Sequence, residues 1–240
     1  MSVLDKSIGS LVEENFIYAR ALHYLGIAFF EYEDKDLRDI SIEKGLSCQQ
    51  IVKCFYDFDN KQSCSYNELE RYPLPYVIAY LRHSHFMFIK EKLPFIDFLL
   101  ENYPNNDLVD LKVIFPVFVE NFVHHIHEEE DVVFKYVDTL ISIIQKKPSN
   151  ILSLYFPHLR FTLQDFQNEH LAEDETGQLR DFIDNYTAKD LHGKIIIQEL
   201  KSFDREVLYH AAIENEIFFK KALKTESKVF AMVKELSICN

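Results

Sequence analysis

Two pairs of histidine and glutamate interrupt apolar stripes in the second half of the sequence. His125 and Glu129 are four residues apart, and His210 and Glu214 repeat the same spacing. Four residues make slightly more than one turn of an α-helix, so each histidine shares a helix face with its glutamate. Imidazole nitrogen and carboxylate oxygen are both metal ligands, and this spacing allows one helix to supply two ligands to one site.

Both pairs fall on the stripe that a bundle helix turns toward its partners. The steps between stripe positions alternate between three and four residues, as expected for helices packed in a bundle. Two further segments each place one histidine on such a stripe. The predicted stripes are Ile78, Leu81, His85, Phe88, Ile96 and Leu99; Phe118, Phe122, His125, Glu129, Val132, Tyr136 and Leu140; Leu159, Leu163, Phe166 and His170; and Ile196, Leu200, Phe203, Val207, His210, Glu214 and Ile217.

Taken singly, each of these polar residues has an ordinary structural explanation. A surface His–Glu pair adds about a few tenths of a kcal/mol to a helix, and a histidine on an apolar stripe is commonly a hydrogen-bonded core residue. Together, however, six ionisable groups would need partners inside one core, because burying a charge unpaired costs about several kcal/mol. A metal centre satisfies them all, so we expect the ligands His85, His125, Glu129, His170, His210 and Glu214. The alternative is a metal-free buried network in a helical interaction module.

The ligand types also narrow the choice of metal. A set of nitrogen and oxygen ligands without cysteine suits iron or manganese better than a structural zinc site, although zinc stays an alternative. Two carboxylates can bridge, and four imidazoles can complete the coordination. We therefore predict a dinuclear centre, for which helix bundles are a common scaffold.

The other histidines are expected to lie outside this centre. Because successive residues differ by about 100° around a helix, the run His124–His127 can place only one histidine centrally on the stripe. We expect solvated pairs between His124 and Glu128 and between His127 and Asp131, and we expect His83 to face away from His85. No role is assigned to His23, His158 and His192.

The composition predicts the helices that would position these residues. The 240 residues include 5 glycines, against roughly 17 expected at average usage. Glycine is unfavourable inside helices, so this deficit favours long helices over a turn-rich β-protein or a glycine-rich phosphate loop. A net charge of −13 argues against nucleic acid as a partner.

The order of segments predicts an all-α protein. We expect a small helical N-terminal domain over residues 1–58, a linker over 59–75, an up-and-down four-helix bundle over 76–225 and a C-terminal tail over 226–240. Helices are predicted at 76–102, 108–145, 157–186 and 188–224, joined by short loops that imply antiparallel neighbours. Pro94 and Pro116 should kink these helices or mark their ends.

Targeting signals and cysteines indicate the compartment. The first ten residues do not resemble a secretory signal, and no run of 18 apolar residues predicts a membrane span. The cysteines (Cys48, Cys54, Cys64 and Cys239) form no CxxC pair, and we interpret them as reduced thiols. We therefore expect a cytoplasmic protein with no membrane partner, and its oligomeric state, a homodimer included, stays open.

With these residues laid out, the sequence resembles the hemerythrin-like (HHE) family, and most closely the di-iron repair-of-iron-centres proteins. The matching stretches are YLRHSHFMFIKEKLPFI, HHIHEEEDVVF, NEHLAEDETGQLRDFI and HAAIENEIFF, which contain His85, His125, His170 and His210. Each His-x-x-x-Glu motif is followed by a phenylalanine five residues after its glutamate. The resemblance covers roughly residues 73–225, and residues 7–58 are similar to the N-terminal domain of these proteins.

The resemblance implies specific roles for the six residues. The four histidines would be terminal iron ligands, and Glu129 and Glu214 would bridge two iron ions, which would also share an oxo bridge. The implied function is repair of iron–sulfur clusters damaged by nitrosative or oxidative stress, with iron–sulfur proteins as clients and O₂, NO or peroxide as small ligands. The alternative is a regulatory protein that senses O₂, NO or iron. In either case we expect a metal-binding stress protein rather than an enzyme with a small-molecule substrate.

Two departures from the family pattern bear on these expectations. The N-terminal domain of the repair proteins usually carries a Cys-Cys pair, whereas the corresponding stretch here reads Gly26-Ile-Ala-Phe-Phe30. The stripe after His170 also loses its regular spacing, so Glu173 or Asp174 is an alternative or additional ligand. Oxygen-carrying hemerythrins place a second histidine at the position of Asp174, so the site should resemble the repair proteins more than an oxygen carrier.

Overall fold

The chain is all-α, as the sequence predicts. A computed structural model describes residues 3–60, 65–146, 163–172 and 174–238. Within these ranges the regular structure is helical, and the only β-type pairing is one isolated bridge between Ser7 and Asp36. Leu159 and His158, and the predicted start of the third long helix, lie outside the described residues.

Four helices form the N-terminal part of the chain: α1 (Ile8–Glu14), α2 (Ile17–Tyr24), α3 (Leu37–Glu43) and α4 (Cys48–Asp59). The first two break at Asn15, whose side chain accepts a hydrogen bond from the Ile17 amide. Helix α4 begins with a capping box in which Ser47 and Gln50 each accept a hydrogen bond from the other's backbone amide.

The described residues after the first 60 form nine further α-helices: α5 (Tyr66–Arg71), α6 (Leu74–Met87), α7 (Leu93–Glu101), α8 (Val109–Glu128), α9 (Lys135–Lys146), α10 (Leu163–Ala172), α11 (Gly177–Asn185), α12 (Leu191–Ile213) and α13 (Phe219–Ile238). Helix α5 lies within the predicted linker, where Ser65 and Glu68 form a second capping box. Helix α13 continues to Ile238, well past the expected end at residue 224. Pro116 lies inside α8 and does not end it.

In the part of the chain that the structure describes, three π-helical segments connect consecutive α-helices. They are Phe88–Lys92 between α6 and α7, Glu129–Phe134 between α8 and α9, and Glu214–Phe218 between α12 and α13. A π turn contains one residue more than an α turn, so each segment shifts the helix face that follows it. Pro94, which has no amide hydrogen, is the second residue after the first π segment.

Two compact units divide the chain. The first spans Met1–Ser63, Pro94–Lys112 and Leu179–Phe203, and therefore includes later segments beside the N-terminal helices. The second spans Cys64–Leu93, Val113–Gln178 and Asp204–Asn240, and contains all six predicted metal ligands. The core of the second unit is aliphatic and aromatic, with Leu81, Val137, Ile213 and Phe218 almost fully buried.

None of the described helices combines the length and the apolar character that crossing a membrane requires.

Candidate metal centre

The second compact unit brings the six predicted ligands together with one additional glutamate. His85 lies on α6, His125 on α8, His170 on α10 and His210 on α12, while Glu129 and Glu214 are each the first residue of a π segment. Glu175, which the sequence did not single out, lies in the turn between α10 and α11. The seven residues form two groups with ligand-like geometry, one of His85, Glu129, His210 and Glu214, and one of His125, His170 and Glu175.

Local sequence explains how these side chains reach the interior. His85 follows Ile78 and Leu81 on the buried face of α6, and His210 follows Phe203 and Val207 on that of α12. Apolar burial of each face thus turns the histidine inward with its neighbours.

The first group is fully buried. His85 Nε2 lies 3.0 Å from His210 Nε2 and 3.3 Å from Glu129 Oε2, and His210 Nε2 lies 3.1 Å from Glu214 Oε1. Two ligands bound at about 2.1 Å and at right angles around one ion would be about 3.0 Å apart. The spacing of these atoms therefore fits adjacent corners of a coordination sphere.

The second group is assembled from separate elements of the same unit. His125 Nε2 lies 2.9 Å from Glu175 Oε1, and His170 Nε2 lies 3.0 Å from Glu129 Oε1. Glu129 Oε1 is also 3.5 Å from His125 Nε2. The imidazoles of His125 and His170 thus lie near Oε1 of Glu129, and the Glu175 carboxylate lies beside His125.

Glu129 and Glu214 each face both groups. In Glu129, Oε2 points to His85 and Oε1 points to His170, at 3.3 and 3.0 Å. In Glu214, Oε1 points to His210 and Oε2 points to His170, at 3.1 and 3.0 Å. A carboxylate whose two oxygens face different imidazoles has the geometry of a bridging ligand.

The carboxylates strongly perturb the two histidines of the second group. Burial alone would lower their pKa values, but Glu129 and Glu175 raise the pKa of His125 to about 11. Burial is likewise outweighed at His170, where Glu129 and Glu214 raise the pKa to about 10. Without a metal, both imidazoles are therefore charged at neutral pH and pair with the carboxylates.

In the first group, the imidazoles in turn lower the pKa values of the two carboxyl groups. Burial favours neutral carboxyl groups, yet the surrounding imidazoles hold the pKa of Glu129 well below its usual value. Burial and the repulsion from Glu129 are also outweighed at Glu214, where His210 and His170 lower the pKa. At His85, burial lowers the pKa, but Glu129, Glu214 and Glu130 together raise it. The carboxylates of Glu129 and Glu214 are therefore ionised, the state that binds a cation.

An outer carboxylate orients one of the ligands. His85 Nδ1 donates a hydrogen bond to Glu130 Oε1 at 2.9 Å, which leaves the Nε2 lone pair directed into the site. Metal-binding histidines commonly carry such a partner on the other ring nitrogen. No stripe in the sequence includes Glu130, since it follows Glu129 by one residue and successive residues of a helix face different directions.

Aromatic rings enclose the site. Phe134 stacks on the His85 ring with 5.6 Å between centroids, and Phe88 meets the His210 ring edge-on at 5.6 Å. Phe219 lies 5.8 Å from the ring of His170. An apolar surround restricts water and strengthens electrostatic interactions within the site.

The pattern of unsatisfied atoms tests whether the residues fit a metal. Among the described residues, the buried atoms without a hydrogen bond of acceptable geometry include His170 Nε2, His210 Nδ1 and Glu214 Oε1. Such groups are rare in native proteins and call for a ligand or an ion. Because two of them, His170 Nε2 and Glu214 Oε1, belong to the converging set, this buried group of histidines and glutamates can hold a metal ion.

The structure also places the residues that the sequence left as alternatives. Asp174 is exposed, Glu173 lies outside the described residues, and the Glu175 carboxylate lies 2.9 Å from His125. Its turn is tight, because a Cβ at Gly177 would lie 2.8 Å from Asp174 Oδ2, and it is anchored by a hydrogen bond from Thr176 to Asp204. Irregular turns carry no periodic signal, so no spacing rule identifies Glu175.

The other histidines that the structure describes lie apart from the two groups. His124 and Glu128 form the expected exposed pair at 3.5 Å. His127 is exposed, but Asp131 pairs with Lys135 instead. His83 is exposed as predicted, and His192 is a buried core residue whose Nε2 donates to the Leu99 carbonyl.

We find no match to this chain among protein-family models, curated proteins or solved structures. The resemblance to hemerythrin-like proteins therefore depends on the sequence motifs described above.

Proposed function

We propose that this chain is a non-haem di-iron protein built on a hemerythrin-like four-helix bundle, which acts in the repair of iron–sulfur clusters damaged by nitrosative or oxidative stress. One observation carries the proposal: Glu129 and Glu214 each direct their two oxygens at imidazoles of different groups. Two bridging carboxylates between two imidazole sets are the ligand pattern of a dinuclear centre.

The choice of iron is supported by the chemistry of the ligands. Neither described cysteine, Cys48 or Cys54, contributes to the group of histidines and glutamates. Imidazole and carboxylate favour iron and manganese over the thiolate-rich sites of structural zinc. Four carboxylates, those of Glu129, Glu130, Glu175 and Glu214, also balance the charge of two divalent cations.

The residues of the chain have distinct tasks in such a centre. His85 and His210 would hold one ion, His125, His170 and Glu175 the other, and Glu129 and Glu214 would join them. When bound, two irons supply redox chemistry and open positions for O₂, NO or peroxide. Phe88, Phe134 and Phe219 exclude water from the ligands, and Glu130 holds the Nδ1 proton of His85.

A role in repair requires that the protein release iron to a client. Neutral imidazole and carboxylate hold iron less tightly than thiolates do. The second group is also less buried than the first, which favours exchange with a client or a small ligand.

A second candidate is a regulatory protein that binds O₂, NO or iron without turnover. The aromatic surround of His85 and His210 favours small, weakly polar ligands. The absence of a Cys-Cys pair between Gly26 and Phe30 favours the same function, because a thiol-dependent step would need one.

Transfer of iron distinguishes the two functions. Anaerobically iron-loaded protein should restore the activity of an NO-damaged iron–sulfur enzyme, and cells lacking the protein should recover such enzymes more slowly after NO exposure. Spectral changes with NO but no iron transfer would favour the regulatory protein. Normal recovery in the deletion strain, with no transfer in vitro, would exclude the repair function.

A further inference from the structure

The two groups of the centre differ in their access to solvent. The side chains of His85 and His210 are 2 and 8% exposed, whereas those of His125 and Glu175 are 20 and 18% exposed. Water and external ligands therefore reach the second group first. The two halves of the centre are consequently inequivalent.

The more exposed group also contains the residue that the backbone holds least rigidly. Six of the seven residues lie on helical segments, where a side chain can withdraw only if its rotamer changes against packed neighbours. Glu175 alone lies in a turn, between α10 and α11. Its neighbour Thr176 anchors that turn to Asp204 at 2.6 Å, so Glu175 can swing outward while the turn stays in place.

The contacts of Glu175 are also the simplest of the set. Its carboxylate meets His125 at 2.9 Å, whereas Glu129 meets three imidazoles and Glu214 meets two. Displacing Glu175 would therefore disturb the rest of the centre least.

We propose that Glu175 is the displaceable ligand of the centre, so that iron leaves and external ligands enter through the group of His125, His170 and Glu175, while the group of His85 and His210 retains its ion. The inference rests on the proposed dinuclear centre and adds an order of release to it. Outward rotation of Glu175 frees one position on the exposed side without breaking either bridge.

Release of Fe²⁺ to a chromophoric chelator tests this order. Anaerobically loaded wild-type protein should lose its iron in two phases of about equal size, because the two halves differ in exposure. Glu175→Gln should accelerate the fast phase by at least about tenfold, the loss that even an outer partner of a metal ligand produces. The slow phase should keep its wild-type rate.

The matched control is Asp174→Asn, which removes a carboxylate of the same turn that lies outside the centre. It should leave both phases at wild-type rates. A second pair of variants keeps the test valid if Glu175→Gln fails to fold. His125→Gln should affect the fast phase, and His210→Gln should affect the slow phase. Circular dichroism checks that each variant is helical.

The outcomes separate this inference from the proposed function. Wild-type protein that binds no iron, or one ion, contradicts the dinuclear centre itself. Wild-type protein that binds two ions, with a Glu175→Gln fast phase at the wild-type rate or with both phases accelerated equally, overturns only the role of Glu175. The same conclusion follows if His125→Gln and His210→Gln alter the same phase.

Discussion

His85 Nε2 and His210 Nε2 face each other at 3.0 Å inside the second compact unit, on helices that are 125 residues apart in sequence. Two ring nitrogens at this distance must share either a proton or a cation. Since the Nδ1 proton of His85 is held toward Glu130, the Nε2 atom presents a lone pair when the ring is neutral. Neutral rings in this arrangement can both present Nε2 lone pairs to a metal ion.

Removing the outer partner of His85 should weaken metal binding. The neutral amide in Glu130→Gln lacks the negative charge that stabilises the Nδ1–H tautomer of His85. We therefore expect the metal affinity to fall by about tenfold to a hundredfold. Chelator competition measures the affinity. Glu128→Gln, which changes an exposed glutamate two residues away, is the control and should bind as the wild type does. Equal affinities for the two variants would contradict the role of Glu130.

Metal affinity should rise with pH. His125 and His170 have raised pKa values, about 11 and about 10, so both are protonated at neutral pH and must lose a proton to bind a metal. Displacing two protons makes the affinity increase by about a hundredfold per pH unit between about pH 6 and about pH 8. Chelator competition across this range, with His124→Gln as a control that keeps the slope, measures the effect. A flat profile would exclude charged imidazoles in the metal-free site.

The stability of the metal-free protein, unlike its metal affinity, should fall as the pH becomes alkaline. A raised histidine pKa gives stability that is complete below the unfolded value of about 6.5 and is lost as pH rises through about 10 to about 11. The lowered pKa values of Glu129 and Glu214 give stability that is lost as pH falls below about 4.5. The buried network of histidines and glutamates therefore contributes most to stability between about pH 4.5 and about pH 6.5.

Thermal unfolding of His170→Gln tests this dependence. The difference in melting temperature between the wild type and His170→Gln should be largest near about pH 6 and shrink toward about pH 10. A difference that is constant with pH would show that His170 contributes through packing alone.

Truncating a buried apolar side chain near the site should lower the unfolding free energy more than truncating an exposed one in the same unit. Leu81 is fully buried one turn before His85, so Leu81→Ala should cost about 2 to 5 kcal/mol of unfolding free energy. Val113 is 70% exposed, and Val113→Ala should change the stability by less than about 0.5 kcal/mol. Urea unfolding of both variants checks the prediction. Similar losses in the two variants would contradict the assigned core.

The sequence predicts every position of the last stripe, but it predicts the second stripe less well beyond Glu129. All predicted positions of the last stripe from Ile196 to Ile217 are buried. In the second stripe, however, Val132 and Tyr136 are only partly buried, and Val133 and Val137 take the core positions. The π segment that starts at Glu129 explains the change, because its extra residue rotates the face that follows.

The parts of the site without helical periodicity could not be predicted in this way. Glu175 reaches His125 from a turn, and its neighbours Glu173 and Asp174 carry the same kind of side chain. Only the tertiary fold shows that Glu175 meets His125 whereas Asp174 is exposed. The helix α5 was likewise missed in a stretch interpreted as a linker, although the Ser65–Glu68 capping box was present in the sequence.

The number of metal ions per chain tests the central claim most directly. Elemental analysis of anaerobically purified wild-type protein should give about two iron ions per chain, and Glu214→Gln should lose at least one of them, because it removes a bridging carboxylate. Glu128→Gln should keep both. A wild-type protein from iron-replete cells with no bound metal, or full occupancy in Glu214→Gln and Glu129→Gln alike, would contradict a carboxylate-bridged dinuclear centre.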